Sequence, residues 1–358
     1  ALTSEDYHAL YGAFSEMVTS IKEEAFSPCI AYTGTRPVEY AAVPLTMYGS
    51  GADHLESYTS MSTLLEHFYA EKNTLTRIRQ KSSDLRRIVQ TALERDIKKY
   101  DLQLTQMEDT KKREKYRIYG ELLNTYGYSA KPGDKSLTAV NYYTNEPVTI
   151  PLDPTLSATE NAKKYFDKYG KLKRTYEALS ELTCQVKEEI DHLETISTAL
   201  DIALKEEDLV EIKEELTQSG YIRRKGGTKR AKITSKPFHY LSSDGFHIYV
   251  GKNNFQNDEL TFKFATGNDW WFHAKGIPGS HVVVKTEGKE LPDRTFEEAG
   301  RLAAYYSKGR EQEKVEIDYV QKKQVKKPAG AKPGFVVYYT NYSLMIDSDI
   351  SGIEKISD

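Results

Sequence analysis

The chain of 358 residues is poor in cysteine, with only Cys29 and Cys184. They stand far apart and outside any CxxC or metal-ligand spacing. This excludes a disulfide framework and points to a reducing cytosolic setting. No apolar run approaches the roughly 20 residues that cross a membrane as a helix. No signal peptide opens the chain, which starts at Ala1 rather than Met and implies preceding sequence. Neither sign of charge dominates: 50 Lys and Arg stand against 53 Asp and Glu, a net charge of −3. Any affinity for nucleic acid must therefore come from local basic clusters. HExxH, P-loop and GxSxG motifs are absent, which removes the commonest metalloprotease, phosphate-cradling and esterase chemistries. Tryptophan is scarce as well, and both copies, Trp270 and Trp271, share one short stretch.

What is present is charge, at 29%, and tyrosine, at 26 residues. Both suit long exposed helices and amphipathic contact surface. Residues 1–27 read as a helix carrying Leu10, Phe14, Met17, Val18 and Ile21 at helical spacing and closed by Phe26-Ser27-Pro28. Residues 28–48 read as two short strands joined at Gly34 and Arg36-Pro37, too few to stand alone.

No proline or glycine falls between Met61 and Tyr119, which predicts about 85 Å of unbroken helix. Leu75, Ile78, Leu85 and Val89 form a heptad seam with Ser82 as a polar gap. The seam shifts near Leu93 and resumes at Ile97, Tyr100, Leu104 and Met107, which reads as a stutter. Residues 120–157 carry turn signals and a small hairpin. A second helix then begins with a capping box, Ser157 with Glu160. Its seam is Tyr165, Tyr169, Leu172, Tyr176, Leu179, Val186, Ile190, Leu193 and Leu200, with Thr183 and Ser197 as polar members. Two long helices joined by a short tip fit an antiparallel coiled coil within one chain. A parallel coil between two chains is the alternative, and the second helix is the nearer partner. A further helix covers 206–219.

Residues 221–236 are a basic connector with Arg223, Arg224, Lys225, Lys229, Arg230, Lys232 and the pair Gly226-Gly227. From Pro237 strand signals dominate. Segments 238–241 and 246–250 flank the hairpin turn Asp244-Gly245. Asn257-Asp258 is expected to cap a short helix ended by Gly267. Thr295 with Glu298 is expected to form a capping box for another. Segments 315–325, 335–339 and 343–346 read as strands. The fold class is therefore α+β: a long antiparallel helical coiled-coil arm followed by a compact C-terminal domain of mostly antiparallel strands.

Three groups of residues invite chemistry. His273 and His281 on neighbouring strands are conceivable metal ligands, but no third ligand has a recognisable spacing. The basic connector, and Lys322, Lys323, Lys326, Lys327 and Lys332, bracket the last domain and suit a phosphate backbone. His273, Lys275, Ser280 and His281 lie between them as contact candidates, while one of Trp270 and Trp271 must face inward if the strand alternates. The bland reading makes the lysine runs solvated loops. At the arm tip, Tyr126, Tyr128, Lys131, Lys135, Tyr142 and Tyr143 are either a contact point or a self-packed cap.

The stretch Asp269-Trp270-Trp271-Phe272-His273-Ala274-Lys275-Gly276-Ile277-Pro278-Gly279-Ser280-His281 resembles the signature of the NFACT RNA-binding domain. So do Ser243-Asp244-Gly245-Phe246, Val250-Gly251-Lys252-Asn253-Asn254, Val325-Lys326-Lys327-Pro328 and Gly330-Ala331-Lys332-Pro333-Gly334. Upstream, Val43-Pro44-Leu45, Ala70-Glu71-Lys72, Gly120-Glu121-Leu122-Leu123 and Ile150-Pro151-Leu152-Asp153-Pro154 resemble the same family's middle region. The resemblance implies a helix-hairpin-helix remnant over 1–57, a coiled-coil middle domain over 58–220 with its tip at 124–157, the connector, and the RNA-binding domain over 237–358. It implies a cytoplasmic, ribosome-associated protein that is not an enzyme and needs no cofactor or metal. Its partners would be the large ribosomal subunit's rRNA, tRNA and the stalled nascent-chain complex, with alanyl-tRNA recruited for C-terminal tailing. The family's N-terminal half, which handles tRNA, would lie outside this chain. Some family members are also described as surface adhesins for fibronectin or fibrinogen, reached by a signal-less route. No sequence feature explains that property.

Overall fold

The computed structural model describes residues 3–33, 36–45, 47–48, 53–224 and 235–357. The chain forms two compact units, one of residues 89–194 and one joining 1–88 to 195–358.

The first unit holds most of the arm, while the start of α2 and the end of α4 belong to the other. Helix α2 (Met61–Thr110) is followed by α3 (Arg113–Tyr126), the hairpin β4 (Ser136–Asn141) and β5 (Glu146–Pro151), and helix α4 (Ala158–Ile202). Three contacts fix an antiparallel pair within one chain: Thr183 Oγ1 to Met107 Sδ at 3.5 Å, Arg113 over the Tyr176 ring at 4.0 Å, and Tyr119 edge-on to Tyr165 at 5.3 Å. The expected seam of α4 faces inward, with Leu179, Thr183, Val186, Ile190, Leu193 and Leu200 buried. Ser157 and Glu160 form the expected box, with Ser157 N–H donating to Glu160 Oε2 at 2.8 Å and Glu160 N–H to Ser157 Oγ at 3.3 Å. Leu137 and Ala139 of the hairpin pack on Tyr119, Leu122 and Leu123.

Two expectations for the first long helix fail. The helix is not continuous to Tyr119, because Lys111 and Lys112 form a turn. The Thr110 hydroxyl donates to Met107 O at 2.6 Å and Lys111 N–H to Glu108 O at 3.0 Å. These three-residue bonds tighten and end the last turn. The seam also does not stutter. Ser82, Val89, Asp96, Gln103 and Thr110 are all buried at a strict seven-residue spacing, while Ile97 and Leu104 are more than 40% exposed. The seam continues through polar side chains that apolar periodicity cannot see. Asp96 is accommodated by the Arg95 guanidinium, 2.8 and 3.0 Å from its two oxygens. The Leu75 side chain, also assigned to this seam, lies outside the described residues.

In the other unit, α1 (Ser4–Lys22) ends four residues before Phe26 and buries none of its residues. A sheet follows in the order β2-β1-β3, from β1 (Cys29–Thr33), β2 (Arg36–Ala41) and β3 (Asp53–Ser57). The polar third strand carries no sequence signal. Arg36-Pro37 lies within β2, an edge strand that tolerates proline, and not in the connection. Gly34 lies outside the described residues. Ile30 and Tyr32 pack on Leu64 and Phe68 at the start of α2.

The remaining elements build a second sheet in the order β13-β10-β8-β9-β7-β6-β14, every described pair antiparallel. Its strands are β6 (Phe238–Leu241), β7 (His247–Val250), β8 (Trp270–Ala274), β9 (Val282–Val284), β10 (Val315–Gln321), β13 (Tyr342–Ile346) and β14 (Glu354–Ser357). The turn Lys322–Gln324 interrupts the segment expected to be one strand over 315–325, and β11 (Val325–Lys326) then pairs with β12 (Val337–Tyr338). Helix α7 (Asp293–Tyr305) covers one face, where Phe272, Ala274, Val282 and Val284 meet Leu302 and Ala303. Trp271, Val283 and Val320 face the other way.

Both capping assignments in this domain change. Asn253, not Asn257, caps α6 (Asn254–Glu259), accepting from Gln256 N–H at 3.0 Å. The Asn257 side chain instead accepts from His281 N–H at 3.0 Å. Thr295 and Glu298 form no box, because α7 starts earlier, after Pro292. Thr295 donates to Asp244 at 2.8 Å and Glu298 accepts from Ser243 N–H at 2.8 Å, so both tie the helix to the β6–β7 turn.

Helix α5 (Glu206–Gln218) meets α6 through buried polar groups. Glu211 Oε2 accepts from Asn253 at 2.7 Å and Gln256 at 2.8 Å. Burial pushes the Glu211 carboxyl above its ordinary value of 4.5 against those two bonds, with Asp208 and Glu215 adding to the rise. The folded protein thus holds this proton to higher pH than the unfolded chain. The resulting stability is full below the unfolded value near 4.5 and is lost as pH rises through the folded one. Glu211→Gln keeps an acceptor for both amides without the buried charge. It is expected to stabilise the protein at pH 7 and flatten this loss in urea midpoints taken at successive pH values. An unchanged pH slope would refute the assignment.

Candidate nucleic-acid interface

The lysine-bearing segment after β10 is held by backbone bonds, by buried side chains and, among its lysines, by Lys327. Its first turn hangs on two backbone bonds, Lys322 N–H to Asp269 O at 2.8 Å and Lys323 N–H to Gly267 O at 3.1 Å. Val325 enters a buried cluster with Trp271, Leu260, Val283 and Val320. The Tyr338 ring lies 5.0 Å from Trp271, and its hydroxyl donates to Asp318 at 2.8 Å. Burial and that carboxylate push the Tyr338 phenol above its ordinary range. Asp258 of α6 clips the loop between β11 and β12 through the Lys327 ammonium and Gly334 N–H. Gly334 has φ +79°, and a Cβ there would stand 2.3 Å from the Asn254 side-chain oxygen. Only glycine fits both the left-handed backbone and this close approach.

This scaffold leaves Lys323 and Lys326 exposed and Lys322 and Lys332 half-buried. Lys327 was expected among them as a phosphate contact, but it is the clip to Asp258, so its charge is already paired. Two exposed rings share the segment and were not singled out from the sequence, Phe335 at 49% and Tyr339 at 63% exposure. Phe335 N–H bonds to Lys332 O at 3.2 Å, closing a turn between them. Their signal was aromatic residues inside a Gly-, Pro- and Lys-rich loop, where no core calls for them. Lysines with exposed rings on a fixed loop suit single-stranded nucleic acid, the cations tracking phosphates and the rings stacking bases.

Other candidates are placed elsewhere. Ser280 and His281 are buried at 3% and 2% exposure and cannot be surface contacts. Ser280 N–H bonds Tyr306 O at 3.0 Å, and His281 Nδ1 lies 2.8 Å from Thr261 Oγ1. Ser280 thus sits against the end of α7, and His281 against α6 and the turn that follows it. Burial, with His273 next to it, holds His281 well below the ordinary histidine range. His273 is half-buried, stacks on Trp271 with centroids 5.6 Å apart, and is also lowered by burial. Burial thus disfavours the charged form of both imidazoles. Among the described residues no three His, Cys, Asp or Glu side chains are grouped to hold a metal.

Lys275 is exposed but pairs with Glu316 at 2.6 Å. It lies beyond the far end of β8 from Lys322, about 15 Å along the strand. Arg223 is exposed, and Arg224 pairs with Glu214 at 2.5 Å. Lys225, Lys229, Arg230 and Lys232 lie outside the described residues. At the arm tip the Tyr142 and Tyr143 hydroxyls both donate to Glu121 Oε2 at 3.0 Å, and Arg117 bonds Glu121 at 2.8 Å. Those tyrosines close the hairpin on α3, as a self-packed cap would. Tyr128, at 86% exposure, Lys131 and Lys135 point to solvent.

No helix among the described residues is long and apolar enough to cross a membrane. Two family models match the chain: NFACT N-terminal and middle domains over residues 1–235, and NFACT protein RNA binding domain over residues 236–339. Curated relatives named Rqc2 homolog RqcH include one from Streptococcus suis, 41% identical over 86% of this chain and 55% of its own length. Another, from Bacillus subtilis, is 36% identical over 97% of this chain and 60% of its own length. The chain thus spans a little over half the length of these relatives. A solved structure, the C-terminal part of the Streptococcus suis fibronectin/fibrinogen-binding protein, aligns with a TM-score of 0.63 at 37% identity, covering 78% of this chain and all of that one. The α+β architecture and the motifs around Trp271 agree with these matches across both halves of the sequence, and this chain belongs to the NFACT family.

Proposed function

We propose that this chain is the RNA-contacting part of a ribosome-associated quality control factor. The observation that carries the reading is the loop of residues 322–339, where exposed and half-exposed lysines and exposed rings stand on a scaffold fixed by Trp271, Tyr338 and Asp258. The relatives named RqcH and the RNA-binding family model support it. In this reading the loop contacts rRNA or tRNA on a large ribosomal subunit that still holds a stalled nascent chain, in the cytoplasm. The arm tip, through Tyr128, Lys131 and Lys135, supplies a second contact. Recruitment of alanyl-tRNA and C-terminal alanine tailing are the work of the longer protein on the ribosome. The chain contributes binding and position, and the ribosome makes the peptide bonds. No observation favours fibronectin or fibrinogen as a partner of this chain.

The test is binding to purified large subunits and to single-stranded RNA across a salt series. Each phosphate contact contributes a slope of roughly −0.7 in log K against log salt for single strands. Replacing Lys322, Lys323, Lys326 and Lys332 by alanine is expected to reduce the slope magnitude by about 3 while circular dichroism is unchanged. An unaltered slope and affinity would remove the loop from the interface.

A further inference from the structure

The face of the sheet opposite the lysine loop carries a second surface of the other charge. Asp293, Phe296 and Glu297 on the first turns of α7 line a groove of about 370 Å³ with Tyr319 of β10 and Leu344 of β13. That volume falls near the low end of the roughly 300–1,000 Å³ typical of ligand pockets. Further aromatic rings adjoin the lining Phe296 and Tyr319. Trp270 stands edge-on to Phe296 at 4.9 Å, Phe296 lies 5.4 Å from Tyr319, and Tyr319 stacks on Tyr342 at 5.5 Å. Tyr342 is 61% exposed. Two nearby cations on α7 are already paired, Arg294 with Glu298 at 3.4 Å and Arg301 with Asp347 at 3.3 Å. Asp293 and Glu297 are the charged residues among the described lining.

The groove also borders an open ladder. Strand β13 ends the sheet and pairs only with β10 among the described residues. Its outward backbone groups are a template for one more strand. Side chains alternate along such a strand, so every second one would drop toward the rings and the acids. Ring faces and carboxylates together select a cation with an aliphatic stem. Phosphate is disfavoured there by the two carboxylates.

We propose that this groove docks an extended, basic protein segment, which pairs with β13 and inserts lysine or arginine side chains between Tyr342, Phe296 and the Asp293–Glu297 rim. The surface is separate from the RNA loop, since Trp270 and Trp271 point to opposite faces of β8. One domain would thus hold an RNA on one side and a basic protein segment on the other.

The probe is a fluorescein-labelled decapeptide of alternating lysine and valine, titrated into the whole chain beside its glutamate counterpart. The lysine peptide is expected to bind saturably and the glutamate peptide at least tenfold more weakly. Glu297→Lys is expected to weaken the lysine peptide at least tenfold. Tyr342→Ala, at an exposed position, is expected to weaken it at least threefold and separates ring contact from simple charge attraction. Equal affinity for the two peptides, or no loss with either variant, overturns the proposal. Displacement of the peptide by single-stranded RNA that persists after the four loop lysines are replaced would assign the groove to RNA and overturn it equally. Neither result depends on the salt series that tests the loop.

Discussion

Trp271→Ala is expected to destabilise the seven-stranded sheet by about 3–5 kcal/mol, the range for removing a large buried aromatic. The side chain is fully buried and touches both the strands and the loop that carries the lysines. Its loss leaves a cavity between Val283, Val320, Val325 and Tyr338, and the Tyr338 ring loses its neighbour at 5.0 Å. Trp270 remains as the only tryptophan and reports the unfolding of this sheet alone. With a urea slope of about 1–3 kcal/mol/M, the midpoint is expected to fall by about 1 M or more. RNA affinity is expected to fall with it although no lysine is touched, because the loop loses its floor. Trp271→Phe is expected to cost much less, since among the described residues the buried indole N–H has no hydrogen-bond partner to lose. Equal losses for the two variants, or an RNA affinity indifferent to both, would show that the loop does not depend on this side chain.

The second large effect is expected at Lys252. Its ammonium is 3.4 Å from Asp208 Oδ1, with both side chains 1% exposed, and lies 4.4 Å from the centre of the Phe238 ring. Asp208 also accepts from Ser235 Oγ at 2.6 Å and from the Leu204 and Lys205 N–H groups at 3.1 and 3.0 Å, so it is fixed as the anchor of α5. Lys252→Ala strands that carboxylate beside Glu211 in a dry interface. The expected cost is about 3–5 kcal/mol, because a buried charge without its partner is far worse than no pair at all. Lys252→Met combined with Asp208→Asn removes both charges and is expected to recover a large part of the loss. The double-mutant cycle, read by tryptophan fluorescence in urea, measures the coupling. Additive effects would show that the two groups do not act as a pair.

Much of the architecture was legible locally. The seam of α4 alternates four and three because its buried positions are mostly large and apolar. The Asp244-Gly245 turn was legible because Gly245 adopts φ +81°. The α2 seam was not, because it runs through Ser82, Asp96, Gln103 and Thr110, and polar residues carry no periodic signal. The candidate site was legible as a charge cluster but not as a geometry. Lys327 looks like its neighbours in sequence, and only Asp258, on a distant helix, makes it a clip. Ser280 and His281 look exposed beside a Pro-Gly turn, and only α6 and α7 bury them.

The sequence by itself determined the elements whose cause lies within a few residues: two long helices with a hairpin between them, a Trp-centred strand, and lysine clusters beyond it. Its motifs also determined the family. Tertiary structure alone decided which charges are free. A lysine's availability depends on whether a carboxylate from another element reaches it, and a histidine's protonation depends on how much water is removed. Both are long-range quantities with no local signature. That is why the stretch around Trp271 proves to be the floor of the interface, and the lysines and rings it supports are the surface.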